Sequence, residues 1–262
     1  MAKLCALASG STGNSTYIST SGGDIIVDAG ISCKAILAAA EKTGADISRL
    51  KAIAVTHSHT DHIKGLKAFL SKTKIPVIAS AQTLEFLSAQ NIISATTDVI
   101  CADNGSIVLD DISVKIFPTS HDSVGSGGYV ITLPDTRRVA VCTDLGIITD
   151  SIRENLLGCE AVLIESNHDI EMLKRGPYPA QLKLRILSEE GHLSNNACAA
   201  ELPALVKSGT TRIMLGHLSL ENNTPLLAQS ASRATLGAIG AVCDQDYILR
   251  VAGPKIPEVI AF

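Results

Sequence analysis

Short apolar segments that end in polar or glycine-containing turns predict β-strands throughout the first half of the chain. The predicted strands cover residues 4–8, 16–18, 24–28, 52–55 and 76–79. Apolar residues with helical spacing predict helices over residues 34–42, 61–71 and 82–90. Ser32 is the predicted N-cap of the first helix, since a serine hydroxyl can accept a hydrogen bond from a free backbone N–H.

The second half of the chain combines predicted hairpins with alternating strands and helices. Its predicted strands cover residues 107–109, 114–117, 129–133, 139–142, 161–165, 212–215 and, as the last strand, 247–251. Its predicted helices cover residues 149–157, 171–188, 194–207 and 225–236, and the second breaks at Gly176-Pro177-Tyr178-Pro179. This pattern predicts an α/β chain in which two mixed sheets pack face to face with helices outside, as a single domain over residues 1–262.

Composition and charge narrow the class of protein. Apolar residues make up 46% of the chain, but aromatic residues only 3%, so the core must consist mainly of Ala, Val, Ile and Leu. The net charge of −4 argues against a protein that coats or packages nucleic acid, although metal ions could still supply local positive charge to an enzyme. Seven scattered cysteines without a C-x-x-C motif indicate reduced thiols in a cytoplasmic protein. No signal peptide or membrane span is predicted.

The segment from His57 to His62 carries the strongest chemical signal. It reads H-x-H-x-D-H and follows the apolar strand at 52–55. In an extended loop, His57 and His59 point the same way and can bind one metal ion together. If a helix begins near Thr60, Asp61 and His62 face a neighbouring position, and the segment can serve two metals about 3.5–4 Å apart. The alternative is a surface loop with solvated histidines.

Three further candidate ligands follow predicted strands. His121 lies after 114–117, Asp144 after 139–142 and His217 after 212–215. Ligands at strand ends gather at one edge of a layered α/β fold. Each residue has an ordinary alternative: the histidines could be loop residues, and Asp144 could cap the helix near Thr149.

These residues resemble the five motifs of the metallo-β-lactamase superfamily, which has an αββα sandwich fold. The resemblance implies a four-layer sandwich and two divalent metal ions. One ion would bind His57, His59 and His121; the other would bind Asp61, His62 and His217. Asp144 would bridge the two ions. Asp28, at the end of Ile25-Ile26-Val27-Asp28-Ala29-Gly30, would brace the histidine loop from outside the ligand set.

Further segments resemble the YycJ/WalJ-like exonuclease group, which is related to the RNase Z and phosphodiesterase branch. They include Leu7-Ala8-Ser9-Gly10-Ser11, Glu165-Ser166-Asn167-His168-Asp169, Gly191-His192-Leu193-Ser194 and Leu215-Gly216-His217-Leu218-Ser219. The resemblance implies phosphodiester hydrolysis, as a 5′–3′ exonuclease on double-stranded DNA. The expected partner is therefore a nucleic acid, with DNA favoured over RNA. The oligomeric state stays open.

The expected chemistry uses a metal-bridging hydroxide that attacks phosphorus, with Asp61 and Asp144 orienting it. Zinc is the expected metal, with manganese or iron as alternatives, because imidazole ligands suit all three. His192 is the candidate proton donor to the leaving group, with Glu165 orienting its ring as a catalytic partner. The alternative is that His192 helps to cap the following helix.

Substrate contacts are predicted less specifically. The turn containing Ser11 and Asn14 could cradle a phosphate, or could be a plain hairpin turn. His168 could contact a phosphate or cap a helix. The basic residues of the segment 174–185 could follow the nucleic-acid backbone, or could lie on a solvated helix face. These residues are Lys174, Arg175, Lys183 and Arg185.

Two other functions remain as alternatives. A thioesterase or lactonase of the glyoxalase II type shares the H-x-H-x-D-H motif, but does not need the Glu165–His192 pair. A non-catalytic metal-binding module is the second alternative. It does not explain seven candidate ligands, because a structural metal site is complete with four.

Overall fold

The computed structural model describes residues 1–103 and 105–262. Its strands form two seven-stranded sheets: the first contains the first six strands and the last strand of the chain, and the second contains the seven strands between them. The first sheet has the order β14-β1-β2-β3-β4-β5-β6 and contains β1 (Lys3–Ala8), β2 (Ser15–Ser19), β3 (Asp24–Val27), β4 (Leu50–Ala54), β5 (Val77–Ala79), β6 (Val99–Cys101) and β14 (Glu258–Ala261). The second has the order β13-β12-β11-β10-β9-β8-β7 and contains β7 (Ile107–Leu109), β8 (Ile112–Pro118), β9 (Gly127–Thr132), β10 (Arg138–Cys142), β11 (Ala161–Glu165), β12 (Arg212–Gly216) and β13 (Ile248–Val251).

Helices cover the outer face of each sheet. The helices of the first half are α1 (Cys33–Thr43), α2 (Thr60–Ile63), α3 (Leu66–Thr73) and α4 (Ala81–Ala89), and a short 3-10 segment spans Ile47–Arg49. The helices of the second half are α5 (Asp150–Leu156), α6 (Ile170–Arg175), α7 (Ala180–Ile186), α8 (Asn195–Lys207) and α9 (Pro225–Ala238). Ser32 caps α1 as predicted, and the predicted break at 176–179 separates α6 from α7.

Successive side chains of a strand pack into two different apolar layers, one on each face of its sheet. In β1, Leu4 and Ala6 belong to the layer between the two sheets, whereas Cys5 and Leu7 pack under the helices of the first half. Successive strand side chains point to opposite faces, so a strand buried on both sides is apolar throughout. The layer between the sheets draws on both halves of the chain. The predicted four-layer αββα sandwich is confirmed, and we propose from this shared layer that residues 1–262 form one domain.

The predicted helix over 61–71 is wrong in one respect: it is interrupted at Lys64-Gly65, between α2 and α3. The Gly65 N–H donates to the Ala29 carbonyl (2.7 Å). A Cβ atom on Gly65 would lie 2.0 Å from the Ile31 carbonyl oxygen, so only glycine fits this close approach. The interruption presses the helix pair against the loop that follows β3.

The prediction that 247–251 is the last strand is also wrong. Strand β14 follows it and pairs with β1 in antiparallel register, with Lys3 opposite Ala261. Strands β6 and β14 were both missed, because each is short and takes its place through pairing with a distant partner. All seven cysteines are free thiols. Among the described residues, no helix is long and apolar enough to cross a membrane.

Candidate metal centre

The candidate ligands lie at one edge of the sandwich, just beyond the carboxyl ends of strands. Strands β3 and β4 are parallel, as are β10, β11 and β12, so their ends share an edge within each sheet. Asp28 follows β3, His57 follows β4, Asp144 follows β10 and His217 follows β12. The helix α2 begins at Thr60, which places His57 and His59 before it and Asp61 and His62 on it.

The first group of candidate ligands, named the histidine cluster here, consists of His57, His59 and His121. One ring nitrogen from each lies within 4.8 Å of the others. His121 Nε2 and His59 Nδ1 are 3.3 Å apart. The Nε2 atom of His57 is buried and has no hydrogen-bond partner among the described residues. A buried imidazole nitrogen without a partner is costly, and a metal ion would satisfy it.

The second group, named the carboxylate cluster, consists of Asp61, His62 and His217, which also offer ligand atoms within 4.8 Å of one another. Asp61 Oδ2 lies 3.5 Å from His62 Nε2 and 3.4 Å from His217 Nε2. The His217 backbone N–H donates to Ser9 Oγ (2.8 Å), which ties this ligand to the loop after β1. The carboxylate cluster therefore joins the two halves of the chain.

Asp144 lies between the two clusters. Its Oδ2 is 3.2 Å from His62 Nε2, and its Oδ1 is 3.8 Å from His121 Nε2. Thr149, not Asp144, caps α5, because the Thr149 hydroxyl accepts from the Ile152 N–H. The side chain of Asp144 is thus free to face both clusters, as a bridging ligand must.

Three of these residues have left-handed backbone conformations. The φ angles are 63° at Asp28, 60° at Asp144 and 54° at His217. Such conformations are uncommon outside glycine and cost about 1–3 kcal/mol each, and they cluster at functional sites. They turn the chain sharply at the strand ends and direct these side chains into the centre.

Asp28 supports the loop that carries the H-x-H-x-D-H motif through contacts with Thr56 and His62. Its Oδ2 lies 2.7 Å from His62 Nδ1, and its Oδ1 accepts from the Thr56 N–H (2.8 Å). The Thr56 hydroxyl donates to the same carboxylate (2.8 Å) and lies 3.1 Å from Nδ1 of both His57 and His62. Sequence reasoning missed Thr56, and its place directly before the histidine motif was the one available signal. These contacts fix the rings and leave Nε2 of each to face the centre.

Glu165 connects two histidines. Its Oε1 lies 2.8 Å from His192 Nδ1 and 2.8 Å from His217 Nδ1. Ser194 is the N-cap of α8, since its hydroxyl accepts from the Ala197 N–H. The His192 ring contacts Glu165 and lies 3.8 Å from Asp144 Oδ1. The structure thus brings Glu165 and His192 to the candidate ligands, and the role of His192 as a proton donor stays a prediction.

The electrostatics of the two clusters differ. Burial, reinforced by neighbouring histidines, lowers the pKa of His57 and of His59. Burial also opposes a charge on His62 and His217, but Asp144 and other carboxylates outweigh it. They raise the pKa of His62 well above its usual value and that of His217 to about 10. When no metal is bound, protons on His62 and His217 therefore offset the negative charge of the buried carboxylates.

The carboxylates show the reciprocal effect. Burial would raise the pKa of Asp144, but His217 and His62 hold it well below its usual value. In the same way, His192 and His217 lower the pKa of Glu165 to about 2 against the effect of burial. The centre is thus built around anionic carboxylates that require positive charge nearby.

The predicted substrate residues are placed differently from one another. Ser11 is exposed on the turn after β1. Asn14 is buried: its Oδ1 accepts from the Gly10 N–H (2.9 Å), and its Nδ2 lies 3.3 Å from Asp61 Oδ2. Asn14 therefore supports a candidate ligand, a contact that the sequence did not indicate. Phosphate binding by Ser11 and Asn14 stays a prediction.

His168 is the one histidine that belongs neither to the two clusters nor to the pair formed by Glu165 and His192. It is 1% exposed, and neither ring nitrogen has a hydrogen-bond partner among the described residues. Burial lowers its pKa to about 4, so the ring is neutral at physiological pH. Asp169 caps α6 and Ser194 caps α8, so the His168 side chain is not the cap of either helix. Its predicted contact with substrate stays a prediction.

Only part of the basic segment approaches the centre. Lys174 and Arg175 pair with Glu171 on their own helix. Arg185 instead binds Asp122 with two hydrogen bonds, one of them 3.0 Å long between its NH2 group and Oδ1. Asp122 directly follows His121, and its Oδ1 lies 3.9 Å from His59 Nε2. The sequence did not single out Asp122, although its position beside His121 was a signal.

The chain belongs to the metallo-β-lactamase superfamily, since residues 24–218 match the family described as the Beta-lactamase superfamily domain. It is 36% identical over 259 residues to a Bacillus anthracis protein named exodeoxyribonuclease YycJ, covering 98% of this chain and 97% of that protein. It is 35% identical over 229 residues to exodeoxyribonuclease WalJ of Streptococcus pneumoniae, covering 86% and 85% of the two chains. The predicted resemblance to the YycJ/WalJ-like group is confirmed.

A solved structure supports the fold. The metallo-β-lactamase fold protein YhfI from Bacillus subtilis superposes with a TM-score of 0.69 at 16% identity, covering 98% of this chain and 99% of that chain. At this identity the likeness bears on the fold alone.

The residues of the centre fit a metal ion. Six of the seven histidines belong to groups that could hold one, together with Asp61, Asp144 and Glu165. Imidazole and carboxylate donors suit divalent first-row metals. Coordination of such an ion would give the buried Nε2 of His57 the partner that it lacks. Family membership and this donor set together indicate that the protein binds divalent metal.

Proposed function

We propose that this protein is a metal-dependent phosphodiesterase that degrades DNA as a 5′–3′ exonuclease. The observation that carries the proposal is the Glu165–His192 pair, which sits against Asp144 in a centre with two groups of metal ligands. Two full-length or near full-length relatives, named exodeoxyribonucleases, support DNA rather than RNA as the substrate.

The proposed cofactor is a pair of divalent cations, with zinc as the proposed metal. The histidine cluster would hold one cation and the carboxylate cluster the other, and Asp144, which lies near His62 and His121, would serve both. When bound, such cations acidify water and offset the negative charge that grows on the phosphoryl oxygens. Asp28 would not bind a cation itself; it holds His62 through Nδ1, which leaves Nε2 of that ring available to a cation.

The chain's own residues divide the remaining work. Asp61 and Asp144 orient the attacking water through their carboxylate oxygens. Glu165 accepts a hydrogen bond from His192 Nδ1, which fixes the ring and leaves Nε2 to carry the transferred proton. His192 Nε2–H then donates that proton to the departing sugar oxygen. Cleavage of a thioester or lactone does not need this acid, so the glyoxalase II alternative is not favoured.

The location proposed for the protein is the cytoplasm. Seven free cysteines, four of them buried, suit a reducing compartment in which disulfides do not persist. This matches a nuclease that acts on cellular DNA.

A substrate panel tests the function. Metal-loaded protein is offered 5′-phosphorylated duplex DNA, the same sequence as RNA, bis-p-nitrophenyl phosphate, S-lactoylglutathione and a cephalosporin, each with and without chelator. We expect chelator-sensitive release of nucleotides from DNA, and elemental analysis should find two metal ions per chain. Hydrolysis of S-lactoylglutathione without nucleotide release would overturn the proposal, as would chelator-insensitive cleavage of DNA. Preference for RNA would overturn the substrate, and one ion per chain would overturn the two-cation centre.

A further inference from the structure

A groove beside the metal centre runs between α4 and the loop that follows β8. Its volume is about 410 Å³, within the range of roughly 300–1,000 Å³ that small-ligand pockets occupy. Gln82, Glu85 and Phe86 line one side, Asp122 and Val124 the other, and His59 lies at its end. We name it the α4 groove. Because His59 belongs to the histidine cluster, the groove opens directly beside the candidate metal centre.

The α4 side of the groove is a single exposed helix face. Gln82, Glu85, Phe86 and Ala89 are spaced i, i+3, i+4 and i+7, the spacing of residues on one face of a helix. All four are exposed. The opposite helix face carries Thr83 and Leu87, which are buried. The orientation of α4 is therefore fixed by its packing, and Phe86 is held on the groove wall.

The two walls are joined before any ligand arrives. The Ser80 hydroxyl, at the start of α4, donates to the Gly125 carbonyl (2.8 Å) in the opposite loop. The Ser58 and Ser123 hydroxyls lie 3.2 Å apart. A Cβ on Gly125, where φ is +74°, would lie 2.4 Å from Ser80 Oγ, so glycine permits the close contact. A groove that is already formed binds without a large ordering cost.

The groove has two large exposed apolar side chains, one on each wall. Phe86 is 39% exposed and Val124 is 73% exposed, in a chain with only four phenylalanines and no tryptophan. Phe69 and Phe117, by contrast, are almost completely buried in the two helix-covered layers. An exposed aromatic face beside a reactive centre is the kind of surface on which a nucleobase stacks.

The charges of the groove disfavour the phosphate group of a nucleotide. Glu85 is exposed within it, and Asp122 lies across from it with its charge compensated by Arg185. A phosphate would be repelled by Glu85 and would find no free cation on these walls. The amide of Gln82 can donate to and accept from the polar edge of a base, as glutamine does with adenine.

We propose that the α4 groove binds a nucleobase next to the scissile phosphate, by stacking on the Phe86 ring. This proposal rests on the proposed nuclease function. It assigns Phe86 as a substrate-positioning residue: it holds the strand in place and takes no part in the proton transfers. The groove accepts any base, since a π-face is common to all of them.

Duplex DNA with an abasic residue moved stepwise through the first three positions at the cleaved end tests the proposal. For the wild type, we expect one abasic position to lower kcat/KM by about 5- to 150-fold, the worth of one base–aromatic stack. Phe86→Ala should lower kcat/KM on intact DNA by a similar factor through a higher KM, and should not discriminate against that abasic substrate. Phe86→Tyr should retain wild-type behaviour, and Phe86→Leu should resemble the alanine variant. Val108→Ala, at an equally apolar position that is 71% exposed on β7, is the matched control and should behave as wild type.

A binding measurement keeps the two proposals separate. A cleavage-resistant phosphorothioate duplex carries the fluorescent base 2-aminopurine at the position identified by the abasic scan, or at each of the three positions in turn. Stacking on Phe86 should quench its fluorescence in the wild type and in Val108→Ala, but not in Phe86→Ala. Protein that binds and cleaves DNA without quenching, or without abasic discrimination, overturns the base site and leaves the nuclease intact. Protein that neither binds nor cleaves DNA overturns the nuclease function, and the base site with it.

Discussion

The histidine cluster and the carboxylate cluster lie on either side of Asp144, yet they differ in charge. Their exposure is alike: each has one partly exposed side chain, His59 at 37% and Asp61 at 25%, beside two that are at most 2% exposed. Burial lowers the pKa of His57 and of His59, so these rings are neutral at pH 7. The carboxylates around His62 and His217 raise the pKa of both rings, so these rings hold protons when no metal is bound.

This difference has a consequence for metal uptake. A cation entering the histidine cluster meets the neutral rings of His57 and His59, which can coordinate without first losing a proton. A cation entering the carboxylate cluster must displace protons from His62 and His217, since a protonated ring nitrogen cannot coordinate. The first position should therefore bind metal with little dependence on pH near neutrality, and the second should bind more weakly as the pH falls.

The largest effects should come from removing one ligand from each cluster. His59→Ala and Asp61→Ala should each reduce DNA cleavage to the level seen with chelator. Each variant loses a direct ligand, which costs more than the roughly 10- to 100-fold that loss of an outer partner costs. Elemental analysis should show one metal ion lost per chain in each case. Near wild-type turnover with full metal content in either variant would remove that residue from the centre.

The next largest effect concerns His192, which shares the Glu165 carboxylate with His217 of the carboxylate cluster. His192→Ala should lower kcat on DNA by about 10²- to 10⁴-fold, the usual contribution of a general acid. The loss on bis-p-nitrophenyl phosphate should be much smaller, because p-nitrophenolate leaves without a proton. Metal content should not change. Equal losses on both substrates would show that His192 does not donate the proton.

A smaller effect is expected from Asp28→Asn, which keeps the shape of the side chain but removes its charge. Asp28 holds His62 by Nδ1 and does not belong to either ligand group. Metal affinity at the carboxylate cluster should fall by about 10- to 100-fold, while that of the histidine cluster should change little. Competition with a chelator of known affinity measures both steps. An equal loss at both positions would mean that Asp28 supports the whole loop through Thr56.

Most of the candidate metal centre was predictable because its residues directly follow apolar strands. His121, Asp144 and His217 each follow an apolar run, and parallel strands place their ends at one edge of a sheet. The αββα layers were likewise predictable, because β1 is apolar from Leu4 to Ala8 and β11 is apolar from Ala161 to Ile164. These features depend on local pattern, which the sequence displays directly.

What the sequence did not reveal depends on contacts between distant segments. Asn14 supports Asp61, and Asp122 pairs with Arg185, across separations that no local pattern encodes. The same is true of β14, which is held at the sheet edge by β1. The α4 groove also went unrecognised, because the exposed face of a helix is distinctive only once its neighbour across the groove is known.

The smallest expected effect tests the charge difference between the clusters in the metal-free protein. The pKa of His217 is about 10 in the folded protein and about 6.5 when unfolded. A raised pKa stabilises the fold fully below about pH 6.5, and this stability is lost as the pH rises towards 10. Between pH 7 and 8, the loss of this stabilisation at His217 should cost about 1 kcal/mol, which lowers Tm by about 2–4 °C.

Thermal unfolding at pH 7 and pH 8, with and without metal, measures this effect. The metal-loaded protein should show a flatter profile, because the cation replaces the protons as the positive charge. In the metal-free protein, His217→Ala should weaken the pH dependence, whereas His59→Ala should leave it unchanged, since His59 is neutral over this range. Parallel profiles for the metal-free and metal-loaded proteins would mean that the two clusters do not differ in proton content. The expected pH dependence of metal uptake would then be lost as well, because both rest on the same protons at His62 and His217.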